Sequence, residues 1–272
     1  MMKLSFMTFA TPDWDLNRIL TAAIRYGYDA IEPRAEAGHK HGVELDTTKK
    51  QRKELKKIFE DTGVANCCIA TSRTYSMLEA DKRAESVELT KKYVDLAKDT
   101  GAPCIRVFGG GTPEGADFAD VKKYVAEAMR ECGEYARGSG VYVCFETHDG
   151  YINANDAADV IRMADTPQAA INWDFMHPCT AGMTIPEAFE VLKPFIRHCH
   201  LHDGVRTPGE GYGWDLVPMG EGEIDHKEAI RLLATIGYEG ALSGEWIAFK
   251  PAEELLPHEA AVLREYRAAA AG

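Results

Sequence analysis

Short apolar runs and longer amphipathic stretches alternate along this chain from one end to the other. The runs are apolar at nearly every position, as strands buried on both faces are. They fall at residues 4–8, 29–32, 64–70, 104–108, 141–145, 170–173, 196–200 and 241–244. Between them apolar residues recur on a helical period, as at Val87, Val94 and Ala97. This predicts helices over residues 15–26, 47–62, 79–100, 117–137, 155–163, 185–192 and 226–236, and a last one over 257–270. The punctuation agrees: Gly27, Gly63, Gly101 and Gly237 stand at helix ends, and Asp46, Thr184 and Asp225 stand where N-caps belong.

Strict alternation implies a parallel sheet, and eight units of about 34 residues imply closure into a (β/α)8 barrel. No Pro/Gly/Ser linker interrupts it, so residues 1–272 read as a single α/β domain. The alternative is a doubly wound open sheet, but no G-x-G-x-x-G opens the first helix.

Composition changes this picture little. Hydrophobic residues make up 45% and charged residues 27%, ordinary for a globular protein. No apolar run approaches the roughly 20 residues that span a bilayer, and the N-terminus enters a strand pattern without a signal-peptide pattern. A cytoplasmic location away from membranes is the expectation. The seven cysteines contain no C-x-x-C pair and read as small core residues in a reducing compartment. A net charge of −12 argues against nucleic acid, whose phosphates demand clustered Lys and Arg. It is compatible with a neutral carbohydrate and a bound cation, and leaves the oligomeric state open, a homo-oligomer included.

The chemistry stands at the strand ends. Strand five ends in Glu146, strand six in Asp174, strand seven in His200 and strand eight in Glu245. In a barrel these neighbouring strands converge on the C-terminal rim, the face that carries active sites. Singly, each residue reads as a cap, an ion-pair member or a satisfied histidine. Together they bring three carboxylates into one space, where two charges about 4 Å apart repel by about 4 kcal/mol at an effective dielectric of about 20. A divalent cation removes that repulsion. Three hard oxygen donors and one imidazole suit Mn²⁺ or Mg²⁺, with Co²⁺ or Zn²⁺ as alternatives.

His177 stands three residues past Asp174, and Arg206 six past His200, both expected on loops over the metal. They suit the oxygens of a substrate and a developing enolate, although Arg206 also reads as an exposed loop charge. Arg106 and Gly109, Gly110 and Gly111 after strand four would line the far end of the pocket, with a tight turn as the plainer role of the glycines.

The pattern resembles the xylose isomerase-like TIM barrel superfamily of sugar isomerases and epimerases over nearly the whole chain. The resemblance rests on the four strand-end residues, Asp174-x-x-His177, the His200 to Arg206 spacing, and Gly220-Glu221-Gly222-Glu223-Ile224-Asp225. It implies a metal held by Glu146, Asp174, His200 and Glu245, the two glutamates as an acid/base pair on either face of the substrate, and sugar contacts from His177 and Arg206. There is one departure. Ketose 3-epimerases of the superfamily carry a further Glu six residues after the first ligand, where this chain has Ile152. Glu146-Thr147-His148 is similar instead to dehydratase and lyase branches such as 3-dehydroshikimate dehydratase, in which the His abstracts the proton. The endonuclease IV branch needs further His and Asp ligands and a basic surface, against the charge found here.

A divalent-metal-dependent isomerase or epimerase of a sugar or sugar derivative is therefore expected. The alternative is a lyase or dehydratase with His148 as base, performing β-elimination on a 3-oxo-sugar, 3-oxo-glycoside or oxo-cyclitol. A non-catalytic sugar-binding barrel is the third reading.

Overall fold

A computed structural model describes residues 1–207, 213–247 and 250–270. The alternation resolves into β1 (Lys3–Met7), α1 (Leu16–Tyr26), β2 (Ala30–Glu32), α2 (Lys49–Thr62), β3 (Ala65–Asn66), β4 (Ile69–Ala70), α3 (Ala80–Thr100) and β5 (Cys104–Val107). It continues through α4 (Phe118–Ala136), β6 (Tyr142–Glu146), α5 (Ala154–Ala164), β7 (Ala169–Asp174), α6 (Met176–Thr180), α7 (Ile185–Leu192) and β8 (Ile196–Leu201). The last elements are β9 (Asp203–Arg206), β10 (Trp214–Val217), α8 (His226–Thr235), β11 (Ala241–Gly244) and α9 (Ala252–Ala270).

Apart from the β9–β10 pair, the strands form one parallel sheet in the order β3-β2-β1-β11-β8-β7-β6-β5-β4. The sheet's two ends belong to one strand. β3 and β4 are pieces of the expected third strand, parted at Cys67 and Cys68; β3 pairs with β2 and β4 pairs with β5. The handover closes the ring as an eight-stranded barrel with helices outside, as the spacing predicts.

Side-chain parity divides the barrel interior into layers. Ala30, Cys67, Cys68, Cys104, Cys144, Ala170 and Ala241 form a buried layer of small side chains. This accounts for four of the seven cysteines, all of which are free thiols. Two residues further along their strands, the inward positions hold Glu32, Arg106, Glu146 and Asn172, all wholly buried. A tightly filled floor carries a charged layer at the C-terminal rim.

Three elements differ from expectation. α6 follows β7 directly, because Asp174 Oδ1 accepts the backbone N–H groups of Met176 and His177 (2.8 and 2.9 Å) and so starts a helical turn. The stretch after strand seven is not a plain loop: β9 and β10 pair as an antiparallel hairpin. α9 begins at Ala252 and not at Pro257, which lies inside it. Burial of Leu255 and Leu256 against the core holds the first turn despite the donor lost at the proline. Among the described residues no helix is long and apolar enough to cross a membrane.

Candidate metal centre

The four strand-end residues meet. One donor atom from each of Glu146, Asp174, His200 and Glu245 lies within 4.8 Å of the others, and all four residues are buried. Register explains the convergence: Asp174 pairs with His200 across β7 and β8, and His200 pairs with Ser243, two residues before Glu245, across β8 and β11.

His200 occupies the middle. Its Nδ1 faces Glu245 Oε2 at 3.2 Å and Glu146 Oε1 at 3.4 Å, with the Asn172 side-chain amide 3.0 Å away. Burial opposes the imidazolium, but the Glu32, Glu146 and Glu245 carboxylates hold the His200 pKa well above its ordinary value. For Glu245, burial opposes ionisation, yet His200, Arg106 and His202 hold its pKa down at about 2. Asp174 also stays ionised: burial is outweighed by the imidazoles of His177 and His202, the latter with Nε2 3.3 Å from Asp174 Oδ2.

Arg106 sits among these groups, deeper than sequence reasoning placed it. Its side chain is wholly buried, with Nε 3.1 Å from Glu146 Oε2 and Nη2 3.9 Å from Glu245 Oε1. Nη1 donates to the Thr71 carbonyl at 3.0 Å. The guanidinium braces the carboxylates from beneath, stacked on Phe108 at 3.9 Å.

The donor set fits a divalent cation. Both Glu146 carboxylate oxygens and Asp174 Oδ2 are buried and form no hydrogen bond, although Arg106, His200 and His202 lie 3.1, 3.4 and 3.3 Å from them; that unmet acceptor capacity suits a cation. Asp174 commits Oδ1 to the α6 backbone and leaves Oδ2 turned to the site. Glu146 Oε1, Glu245 Oε2, Asp174 Oδ2 and His200 Nδ1 would hold the ion.

A ladder of imidazoles borders the quartet. The rings of His148 and His177 lie 4.6 Å apart, those of His177 and His202 5.3 Å. His177 Nδ1 is 2.7 Å from the Thr147 carbonyl and donates to it. His148 packs on Phe108 at 4.6 Å, and its Nδ1 lies 2.9 Å from Asp149 Oδ1. Burial lowers its pKa, but the Asp149 hydrogen bond and the Glu146 carboxylate more than offset that and raise it. At 34% side-chain exposure, His148 is the most accessible of these groups.

Arg206 stands apart. It projects from β9 with 65% of its side chain exposed, paired with Glu223 at 3.7 Å and lying over Trp214 at 5.2 Å. Among the described residues its partners belong to the hairpin and its neighbouring loop, not to the quartet. Gly109 and Gly110 serve packing, since a Cβ on either would meet Tyr151 or Ser76 within 2.3 Å.

Sequence reasoning missed Glu32, His198 and His202. Glu32 ends β2 much as the quartet residues stand at or beside their strand ends, which was the available signal. His198 and His202 flank His200 at spacings of two, so all three share the inward face of β8 and its extension.

A parallel barrel closed at its C-terminal rim over a buried carboxylate–imidazole quartet is a TIM barrel with a candidate metal site. The chain belongs to the xylose isomerase-like TIM barrel family, whose sequence profile matches residues 20–266. It is 26% identical over 230 residues to a fructoselysine 3-epimerase of Shigella flexneri, covering 80% of each chain. It is also 26% identical over 263 residues to a 3-dehydroshikimate dehydratase of Bacillus anthracis, covering 90% of each. Among solved structures, the IolI protein with a bound zinc atom superposes with a TM-score of 0.84 at 18% identity, covering 98% of both chains. Sugar epimerases and a dehydratase are thus both relatives, and the chain is an enzyme of this superfamily.

Proposed function

We propose that this protein is a divalent-metal-dependent enzyme that removes a proton from carbon next to a carbonyl of a sugar or sugar derivative, as an isomerase or epimerase. The observation that carries the reading is the buried quartet Glu146, Asp174, His200 and Glu245, with donor atoms within 4.8 Å of one another. When bound, the cation supplies positive charge against which the substrate's carbonyl oxygen can become anionic, lowering the barrier by several kcal/mol. Mn²⁺ or Mg²⁺ fits a site with three carboxylates best.

The rest falls to the protein. Glu146 and Glu245 come from strands on different sides of the site, and one withdraws the proton while the other returns it to the opposite face. Arg106 orients both carboxylates through its contacts at 3.1 and 3.9 Å. His177, fixed by Thr147, holds a substrate oxygen. Arg206 reaches a substrate only if the β9–β10 hairpin brings it inward. An unphosphorylated carbohydrate is favoured, because Arg73 is paired with Glu36 and Arg34 hydrogen-bonds to Ser72 and backbone carbonyls. Seven free cysteines support a reducing, cytoplasmic setting.

A second reading, β-elimination, is favoured by one observation. His148 is partly exposed beside Glu146 with Nδ1 2.9 Å from Asp149 Oδ1, a carboxylate placed to orient the ring with its other nitrogen as a base. Incubating Mn²⁺-loaded protein in D₂O with a panel of keto- and 3-oxo-sugars separates the two. An isomer carrying solvent deuterium supports the first; loss of water or an alcohol supports the second. If neither product nor exchange of the α-proton is seen, both fail. Full activity in His148→Ala with none in Glu245→Gln would remove the support for elimination.

A further inference from the structure

We infer that Glu32 is the positioning residue of His200: its carboxylate, shared with His198, fixes which nitrogen of the His200 ring faces the cation. The inference deepens the metal-centre reading and rests on it. Glu32 ends β2, separated from β8 by β1 and β11 in the ring. Wholly buried, it reaches across the barrel interior. His200 Nε2 lies 3.0 and 3.1 Å from its Oε1 and Oε2, and His198 Nε2 lies 2.8 Å from Oε2.

An ionised carboxylate only accepts hydrogen bonds, so each Nε2 carries a hydrogen and donates it. With Nε2 protonated, the lone pair of a neutral imidazole resides on Nδ1. Nδ1 is the His200 atom that faces Glu146 and Glu245 at 3.4 and 3.2 Å. The other tautomer would set a nitrogen lone pair against the Glu32 oxygens about 3 Å away in a low-dielectric interior, where such a contact is repulsive, whereas at Nδ1 a bound cation would stand between the lone pair and the Glu146 and Glu245 oxygens. His198 holds the carboxylate from its other side. Because residues 198 and 200 project from the same face of β8, one acid anchors both rings. Carboxylates that orient a metal-bound histidine in this way typically contribute 10–100-fold to metal affinity.

The test is calorimetric titration of Mn²⁺ into EDTA-stripped, dialysed wild type and Glu32→Gln, with thermal melts in EDTA as a folding control. Glutamine keeps the shape but turns an N–H toward one imidazole. The expected result is a folded variant that binds one ion with affinity lowered about 10–100-fold. Binding within about twofold of wild type would overturn the inference and leave the metal centre standing, whereas a wild type that binds no ion would remove both. A second measurement serves if Glu32→Gln does not fold: ¹⁵N-histidine NMR of zinc-loaded wild type. It should show His200 protonated at Nε2 and coordinated through Nδ1, and the opposite assignment overturns the inference.

Discussion

Replacing Arg106 by methionine should destabilise the metal-free protein sharply and make its stability more dependent on a divalent ion. The guanidinium lies 3.1 Å from Glu146 Oε2 and 3.9 Å from Glu245 Oε1, with no solvent exposure. At an effective dielectric of about 20, those contacts carry gross attractions of about 5 and about 4 kcal/mol. The net loss is smaller, because the variant no longer has to desolvate the arginine; removing one partner of a buried pair costs about 3–5 kcal/mol. At about 2–4 °C per kcal/mol for chains approaching this size, the melting temperature in EDTA should fall by about 10 °C. At one fixed Mn²⁺ concentration the gain in melting temperature should be larger for Arg106→Met than for wild type, since the ion supplies the missing positive charge. Differential scanning calorimetry in EDTA and in Mn²⁺ reads both effects. A variant melting within about 2 °C of wild type in EDTA, or gaining less from Mn²⁺, would refute the view that this guanidinium balances the carboxylates.

Two further outcomes concern other parts of the fold. His41 is buried, with Nε2 donating to the Arg34 carbonyl and Nδ1 accepting the Val43 N–H, both at 3.0 Å. Burial, reinforced by His39, lowers its pKa from the ordinary 6.5 to about 4. The unfolded chain therefore takes up a proton first as pH falls. Stability present above pH 6.5 should be lost between 6.5 and 4, by about 3 kcal/mol. Urea unfolding across that window should show a steeper decline for wild type than for His41→Gln, and parallel curves would count against the assignment. Gly222→Ala should cost about 1–3 kcal/mol. The new Cβ would stand 2.1 Å from Asp203 Oδ1 and 2.6 Å from the Gly204 carbonyl. Asp203 has little freedom to yield, because it accepts the N–H groups of Gly204, Gly220, Gly222 and Ile224. An unchanged melting temperature would contradict that reading of the Gly220–Asp225 stretch.

The barrel and its quartet were legible because they depend on order along the chain. Alternation gave the strands, and the residue at or beside the end of each of four consecutive strands gave Glu146, Asp174, His200 and Glu245. What escaped depends on who meets whom across the barrel. Glu32 ends a strand of three residues and finds His198 and His200 only once the ring closes, a separation of 166 and 168 residues that no local period encodes. Arg106 was seen beside the site but assigned to substrate, because sequence alone does not reveal that its head turns down onto Glu146. The hairpin escaped because its second strand, Trp214–Val217, is largely exposed and lacks the apolar run that marks a barrel strand. Pro257 misled for a local reason: a proline usually marks a first turn, and the burial of Leu255 and Leu256 overrode it.

The proposed function requires that the quartet hold one divalent cation. Its most direct test is metal analysis of purified protein dialysed against Mn²⁺ and then against metal-free buffer, beside an Asp174→Ala, Glu245→Gln double variant. Close to one ion per chain is expected in wild type, with a rise in melting temperature on loading, and neither in the variant. A wild type that retains no ion and gains no thermal stability from Mn²⁺, Mg²⁺, Co²⁺ or Zn²⁺ would contradict it.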